Sequence, residues 1–360
     1  MKIAIMGAGL SGLACAITLE KHGVPFTIFE KRSQVGDRFV NGEALIAALT
    51  RPVNDPIAYL SENHGIYLQA LSPMRHILFF SEKEQSVLSG QLGFINLRGR
   101  DSESFENQLF NQVKTPIRFN SEHSYEQLLQ DYTHIVLATG DAAYTSKIQD
   151  FQTDLTVTLK GATVEGDFDR HKVGIWLNYD IAPQGYAFLL PYSEKEACIT
   201  LAYPDYPANR EFDLEKLWEN FYTLVCRDFN QPLHITDSFE ITRYIIGLCE
   251  HPRIGNTFFV GNCFGAVMPG FGFGQFESIM TGIYAAQDLC GLGHYSDLTQ
   301  PFRESYRNSL VLRRTLERLN NSHLDSIVSL VHHNIVQKVL NHERLNPLKL
   351  ASRLLRPWVN

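Results

Sequence analysis

The hydrophobic pattern changes period several times along the chain, and each change predicts an element. Lys2–Met6 is a short, nearly continuous apolar run, the signature of a strand buried on both faces. From Leu13 to His22 the spacing becomes helical, with Leu13, Ala16, Ile17 and Leu19 on one face, and Gly23 follows where a helix end takes a left-handed residue. Pro25–Phe29 is a second strand-like run that closes on Glu30. Two more short apolar runs come far downstream. Ile135–Ala138 leads into Thr139-Gly140-Asp141, and Asn256–Val260 leads into Gly261-Asn262. A helical pattern begins again near Gln275, with Phe276, Ile279, Met280 and Ile283 on one face. Between 150 and 245 the pattern is β-rich. Val157–Leu159, Gly174–Leu177, Ala187–Leu190 and Cys198–Ala202 are strand-like runs spaced by turn residues, and an amphipathic helix follows over Leu214–Phe229. Residues 300–360 read as helical, with Arg303, Arg307, Arg313, Arg314 and Arg318 recurring through one long pattern.

Composition narrows the function classes. A net charge of −7 argues against nucleic acid as the main partner, because phosphate binding needs an excess of Lys and Arg. The six cysteines contain no C-x-x-C pair, so neither a zinc site nor a thioredoxin-type motif is indicated. Scattered cysteines suit a reducing cytosol, and a cytoplasmic protein is expected. The histidines lack ligand spacing, and no metal site is expected. No run approaches about 18 apolar residues, so no transmembrane helix is expected. The apolar start, Met1–Leu10, lacks a signal peptide's cleavage region and reads as a buried first strand.

The first strand and helix are joined by Gly7-Ala8-Gly9-Leu10-Ser11-Gly12, a G-x-G-x-x-G. Gly7 permits the tight turn, Gly9 lets the backbone approach a pyrophosphate, and Gly12 lets helix and strand pack closely. The helix start then offers free N–H groups and the positive end of a dipole to the phosphates. Glu30, at the end of the second strand, is placed to accept from ribose hydroxyls and disfavours a 2′-phosphate. A glycine motif alone is weak. Here strand, helix, second strand and acid stand in register, which predicts a Rossmann-type dinucleotide site at Gly7, Gly9, Leu10, Ser11, Gly12 and Glu30, with Lys31 and Arg38 just beyond it.

The downstream loop favours FAD over NAD as the dinucleotide. After Gly261-Asn262 come Pro269, Gly270, Gly272 and Gly274, and then the helix; a simple NAD dehydrogenase has no need of this second strand–glycine loop–helix element. The stretch resembles the C-terminal motif of the FAD-dependent oxidoreductases that include geranylgeranyl reductases and aromatic-ring hydroxylases, roughly G-D-A-A-x-x-x-x-P-x-x-G-x-G. Gly261, Pro269, Gly272 and Gly274 match it, and Asn262 stands where that family has Asp. The resemblance implies that this loop holds the ribityl chain, that Asn262 bonds a ribityl hydroxyl without bringing charge, and that the helix aims its N-terminus at the flavin. It also implies a role near the pyrophosphate for Thr139-Gly140, where the hydroxylases favour Asp-Gly, and phosphate contact by Arg98, with Arg100 close behind. Cys263, in the same loop, is a candidate for reaching the flavin. The architecture implied is α/β: a Rossmann-type FAD-binding fold assembled from 1–50, 92–150 and 246–300, an inserted β-sheet substrate domain from 51–91 and 151–245, and a helical C-terminal region, 301–360.

Gln184-Gly185-Tyr186-Ala187-Phe188-Leu189-Leu190-Pro191 resembles the geranylgeranyl reductase segment G-Y-x-W-x-F-P, whose aromatics line the substrate cavity. That makes Tyr186, Phe188 and Leu190 substrate-binding candidates; the alternative is an ordinary core strand. Gly36–Gly42-Glu43 resembles the family loop ending C-G-E-G, but Asn41 replaces its Cys, so no role of that Cys transfers. No protonic catalyst stands out, although Tyr186, Tyr192 and Tyr203 are candidate donors. The expected function is an FAD-dependent reductase or dehydrogenase acting on an apolar substrate, isoprenoid or lipid, by hydride transfer through flavin N5. The alternatives are an aromatic-ring monooxygenase, disfavoured by Thr-Gly in place of Asp-Gly, and a flavin-binding protein without turnover. No second G-x-G-x-x-G is present, so NAD(P)H or another electron donor is expected to bind transiently. The end, Leu348–Trp358, interleaves Lys349, Arg353 and Arg356 with Leu350, Leu354, Leu355 and Trp358. It suits either an amphipathic helix making peripheral contact with an anionic membrane or a capping helix with a solvated basic face.

Overall fold

The computed structural model describes residues 1–359. A six-stranded sheet is built around β1 (Ile3–Met6), which pairs in parallel with β2 (Phe26–Phe29) on one side and β7 (His134–Leu137) on the other. Beyond β2 lies β6 (Ile117–Arg118). Beyond β7 lie β14 (Thr257–Phe259) and the antiparallel edge strand β13 (Arg253–Ile254). Helix α1 (Leu10–Lys21) starts three residues earlier than its apolar spacing indicates, because Leu10-Ser11-Gly12 is already its first turn. It is buried along Leu10–Leu19 between this sheet and α7 (Gln275–Leu289). Short helices α2 (Pro56–Tyr59), α3 (Phe105–Phe110), α4 (Tyr125–Asp131) and α5 (Ala142–Thr145) flank the sheet. Each has an acceptor side chain at its N-cap, Asp55, Ser104, Ser124 and Asp141, which satisfies N–H groups that a helix start leaves free.

The second sheet has eight strands in the order β12-β8-β11-β10-β9-β4-β5-β3. These are β3 (Asn41–Ile46), β4 (Ser72–Phe80), β5 (Gln85–Arg98), β8 (Phe151–Glu165), β9 (Lys172–Trp176), β10 (Tyr186–Pro191), β11 (Glu196–Pro204) and β12 (His234–Cys249). Helix α6 (Leu214–Asp228) covers one face, burying Leu217, Trp218, Phe221 and Val225 against Trp176, Ala187 and Leu189. Pairing assigns segments differently from the expected boundaries. Asn41–Ile46 and all of β5 belong to the second sheet, although 1–50 and 92–150 were expected in the nucleotide fold, and β12 continues to Cys249, past the boundary at 245. Composition does not mark these edges, because β5 runs unbroken across the expected boundary at 92.

The C-terminal region is helical: α8 (Tyr295–Leu316), α9 (Asn321–Leu330), α10 (Asn334–Asn341) and α11 (Pro347–Val359). Val331 and Leu340 pack with Met74, Ile77, Leu88 and Leu190 of the second sheet, so these helices close the sheet face that α6 leaves open. No helix among the described residues is long and apolar enough to cross a membrane.

Candidate active site

One cavity of about 1260 Å³ runs between the two sheets and on to the C-terminal helices. A single small ligand occupies roughly 300–1,000 Å³ of pocket, so there is room here for a dinucleotide and a second ligand together. Its nucleotide end is lined by Gly7, Gly9, Leu10, Ser11, Glu30, Lys31 and Arg38, by Thr139 and Gly140, and by Gly261, Asn262, Pro269, Gly272 and Gly274. Tyr186, Phe188 and Leu190 line it further on. Gly12 does not reach it and works by packing: a Cβ there would lie 2.0 Å from the Gly7 carbonyl oxygen. Gly7 has φ +114° and the Ala138 carbonyl oxygen 2.3 Å from any Cβ, so the turn admits only glycine. Beside Gly9 nothing stands within 4 Å, which leaves the backbone open to a ligand.

Two helix starts converge on this cavity. Both α1, capped by Gly9, and α7, capped by Gly274, begin without any side-chain acceptor, so their first N–H groups remain for a ligand. The two helices approach closely because Gly282 lies against the Ser11 carbonyl oxygen, where a Cβ would come within 2.0 Å. Sequence reasoning missed Gly282, since its neighbour lies on a helix far away in the chain.

Glu30 accepts from the backbone N–H of Ala8 at 2.9 Å and of Arg32 at 3.0 Å, one on each carboxylate oxygen, and retains lone pairs toward the cavity. Arg38 donates from Nη2 to Asn41 Oδ1 at 2.6 Å, while its buried Nε has no partner. Burial, and then the neighbouring Arg98 charge, lower its pKa from the usual arginine value.

Arg98 lines the cavity, but two of its three guanidinium nitrogens are engaged within the protein. Its Nε donates to Glu106 at 2.7 Å and its Nη1 to Glu43 at 3.1 Å, so it closes a three-member ion cluster between β3, β5 and α3. Burial opposes its charge, but Glu106 and Glu43 outweigh that and raise its pKa above the ordinary value. Arg100 pairs with Asp237 at 2.6 Å and does not line the cavity. Gly36–Gly42 is a loop only in part, because Asn41–Ile46 is strand β3.

The Asn262 side-chain nitrogen donates to the Gly140 carbonyl at 3.3 Å and to the Tyr244 hydroxyl. It thus ties the turn after β7 to the turn after β14, and only its Oδ1 is left for a ribityl hydroxyl. Tyr244 was not anticipated from sequence. Cys263 is fully buried, its thiol 3.2 Å from the Thr139 hydroxyl, and it does not line the cavity; burial pushes its pKa up. This removes it as a group within reach of a ligand.

Along β10 the period of two sorts the side chains. Tyr186, Phe188 and Leu190 face the cavity, and Ala187 and Leu189 pack under α6. Val157, Leu159, Val173 and Ile175 extend the same apolar wall. The Tyr186 hydroxyl donates to the Phe271 carbonyl and lies opposite Gly272, where a Cβ would be 3.7 Å away. Burial raises its pKa, so it stays protonated at neutral pH. Tyr203 also lines the cavity; Tyr192 does not and is buried beside Cys198.

The site's residues fit a bound FAD: open backbone at Gly9, two helix starts without a side-chain cap and an acceptor carboxylate line one cavity. The fold has counterparts among solved structures. The chain superposes on a geranylgeranyl bacteriochlorophyll reductase-like protein from Thermoplasma acidophilum with TM-score 0.69, at 15% identity over 98% of this chain and 94% of that one. It superposes on a flavin-dependent brominase with TM-score 0.69, at 13% identity over 100% and 98%. This is the fold of flavin-dependent oxidoreductases. A 2-methyl-3-hydroxypyridine-5-carboxylic acid oxygenase shares it, with TM-score 0.60, at 17% identity over 98% and 95%. The family model for an NAD(P)-binding Rossmann-like domain matches residues 5–44. A 4,4′-diapophytoene desaturase of Staphylococcus haemolyticus is 30% identical over 132 residues, which is 32% of this chain and only a quarter (25%) of that relative.

Proposed function

We propose that this chain is an FAD-dependent oxidoreductase, a reductase or dehydrogenase, whose substrate is apolar, of isoprenoid or lipid type. The observation that carries the substrate class is the cavity wall. Beyond the nucleotide end aliphatic and aromatic side chains from β4, β5, β8, β9 and β10 dominate it, opposed by α8–α11 and interrupted by a few polar groups, Gln91, Thr200 and Thr315. Among the described residues, the charged side chain that lines this end is Arg313, which is turned onto the Gln184 carbonyl and Glu317. Two of the similar proteins, named for a geranylgeranyl compound and for 4,4′-diapophytoene, support the same reading.

Bound FAD supplies hydride chemistry at its N5. Gly7–Ser11 and the start of α1 would hold the pyrophosphate, and Glu30 would accept from the ribose hydroxyls. The Gly272–Gln275 turn and the start of α7, with Asn262 and Thr139, line the same cavity and would hold the flavin end of the cofactor. Phe188, Leu190, Val173 and Ile175 exclude water from the reacting end and orient an apolar chain by shape. Tyr186 pins β10 to the glycine loop through Phe271, and it acts as a proton source only after releasing that carbonyl. Electrons enter from a donor that binds transiently, NAD(P)H or another carrier.

The test has two steps. The purified protein should carry non-covalent flavin, visible in its absorbance and released on denaturation. After anaerobic photoreduction, a polyisoprenoid alkene should reoxidise the flavin and a polar analogue should not. A colourless protein that takes up no added FAD refutes the proposal. Oxygen uptake coupled to NAD(P)H on adding an aromatic substrate would replace it with a monooxygenase.

A further inference from the structure

The three outermost helices carry a feature that cofactor binding does not use. Around α11 the side chains fall into strips. Leu348 and Ser352 are buried, with Ser352 Oγ donating to Asn308 of α8 at 3.0 Å. Ala351 and Leu355 line the cavity. Leu350, Leu354 and Trp358, spaced four apart, form an outward stripe, with Leu354 68% and Trp358 75% exposed. Lys349, Arg353 and Arg356 are exposed along the far edge of that stripe. On α9, Ile327 and Leu330 both line the cavity and reach solvent, so the apolar wall continues to the outer surface at this place.

Charge is distributed in the same way. Residues 331–360 hold five basic residues (Lys338, Arg344, Lys349, Arg353, Arg356) against Glu343 alone, a net +4, so the rest of a chain of net −7 carries −11. An exposed apolar stripe with a Trp, bordered by Lys and Arg, matches the headgroup region of an anionic bilayer. A second copy of the chain would instead bring its own basic edge to the same face.

We propose that α9–α11 seat the protein on an anionic lipid surface with the mouth of the cavity against it, so that an apolar substrate passes from bilayer to cavity without crossing water. The seating stands on this surface alone; the loading of substrate rests on the function proposed above.

The flavin-loaded protein is tested by flotation with phosphatidylcholine vesicles, with and without phosphatidylserine. Trp358 is a built-in probe, because Trp176 and Trp218 are only 1% and 8% exposed. Flotation with the anionic vesicles is expected, weakened by salt, together with quenching of Trp358 by brominated acyl chains. Replacing Lys349, Arg353 and Arg356 by Ala should weaken binding by about fivefold for each residue, and Leu350→Ser with Leu354→Ser should reduce the quenching of Trp358, both with flavin content unchanged. Absence of flotation with an intact flavin spectrum overturns the proposal. So does triple-variant binding equal to that of the parent, or self-association that shields Trp358 and is not relieved by vesicles. Vesicle binding without turnover on apolar alkenes would instead count against the proposed function alone.

Discussion

Replacing Arg98 by Met separates two roles for this residue. In the structure its guanidinium is paired with Glu106, whose side chain is 4% exposed, and with Glu43, which is 28% exposed. Met keeps the apolar stem and removes the charge, leaving Glu106 buried without its cation. Breaking a buried pair from one side costs about 3–5 kcal/mol, and the more exposed Glu43 is partly screened by water, which places the expected loss near the low end, about 3 kcal/mol. The loss should appear in urea unfolding of the flavin-free protein, because the cluster lies within the protein and needs no ligand. The double variant Arg98→Met with Glu106→Gln should recover part of it, giving a coupling of roughly 1.5 kcal/mol or more in the double-mutant cycle. If Arg98 is instead a phosphate ligand, flavin-free stability will stay within about 0.5 kcal/mol of the parent while FAD affinity falls. That result would refute the cluster as the main role of Arg98.

Gly12→Ala should abolish FAD binding in a spectroscopic titration, because its Cβ would meet the Gly7 carbonyl oxygen at 2.0 Å. Glu277, in the first turn of α7, has its pKa pushed up to about 7 by burial. Its folded value lies above its unfolded one, so the neutral carboxyl favours the fold at low pH, and that stability is lost as pH rises toward 7. The effect is at most roughly 3 kcal/mol, and Glu277→Gln should remove it, seen as a smaller stability difference between unfolding curves near pH 5 and near pH 8. Tyr186→Phe leaves the Phe271 carbonyl without its donor and should cost about 1 kcal/mol of stability with flavin still bound. Asn262→Asp should weaken FAD binding, measured by titration, although it restores the Asp of the motif that this loop resembles; tighter binding would contradict this.

What was legible in the sequence is what local sterics dictate. Gly7 and Gly12 are required by atoms within one strand–turn–helix unit, so their spacing announces them. The alternation Tyr186, Phe188, Leu190 is likewise local, because a strand's period of two sorts its side chains whatever lies opposite. The ion pairs of Arg98 were not legible because its partners arrive from elsewhere, Glu43 on β3 and Glu106 on α3. Gly282 was missed for the same reason, its constraint being the Ser11 carbonyl on another helix. Strand β12 escaped because it is an edge strand, alternating polar and half-exposed positions over most of its length with little apolar signal. The tail's amphipathic pattern was plain, but which of its apolar positions close the cavity and which face solvent depended on how α11 docks on α8.

Asn262 shows how a departure from a motif can be a change of partner. Its amide nitrogen bridges the Gly140 carbonyl and the Tyr244 hydroxyl, both of them oxygens. A carboxylate in this position has no hydrogen to give. One oxygen could accept from Tyr244, but the other would face the Gly140 carbonyl with like partial charge, at the turn that borders the nucleotide end. The cost of leaving such a contact unsatisfied is about 1–3 kcal/mol, enough to offset what a charged acceptor offers a ribityl hydroxyl. Tyr244 reinforces this, since burial holds its phenol protonated and beside Arg38 and Arg98, in a neighbourhood already balanced by Glu43. A further carboxylate there would also compete for the cations that Glu43 and Glu106 now hold. The neutral amide therefore belongs with Tyr244 and the Thr139-Gly140 turn as one unit, and restoring the Asp without changing its surroundings removes a bond rather than adding one.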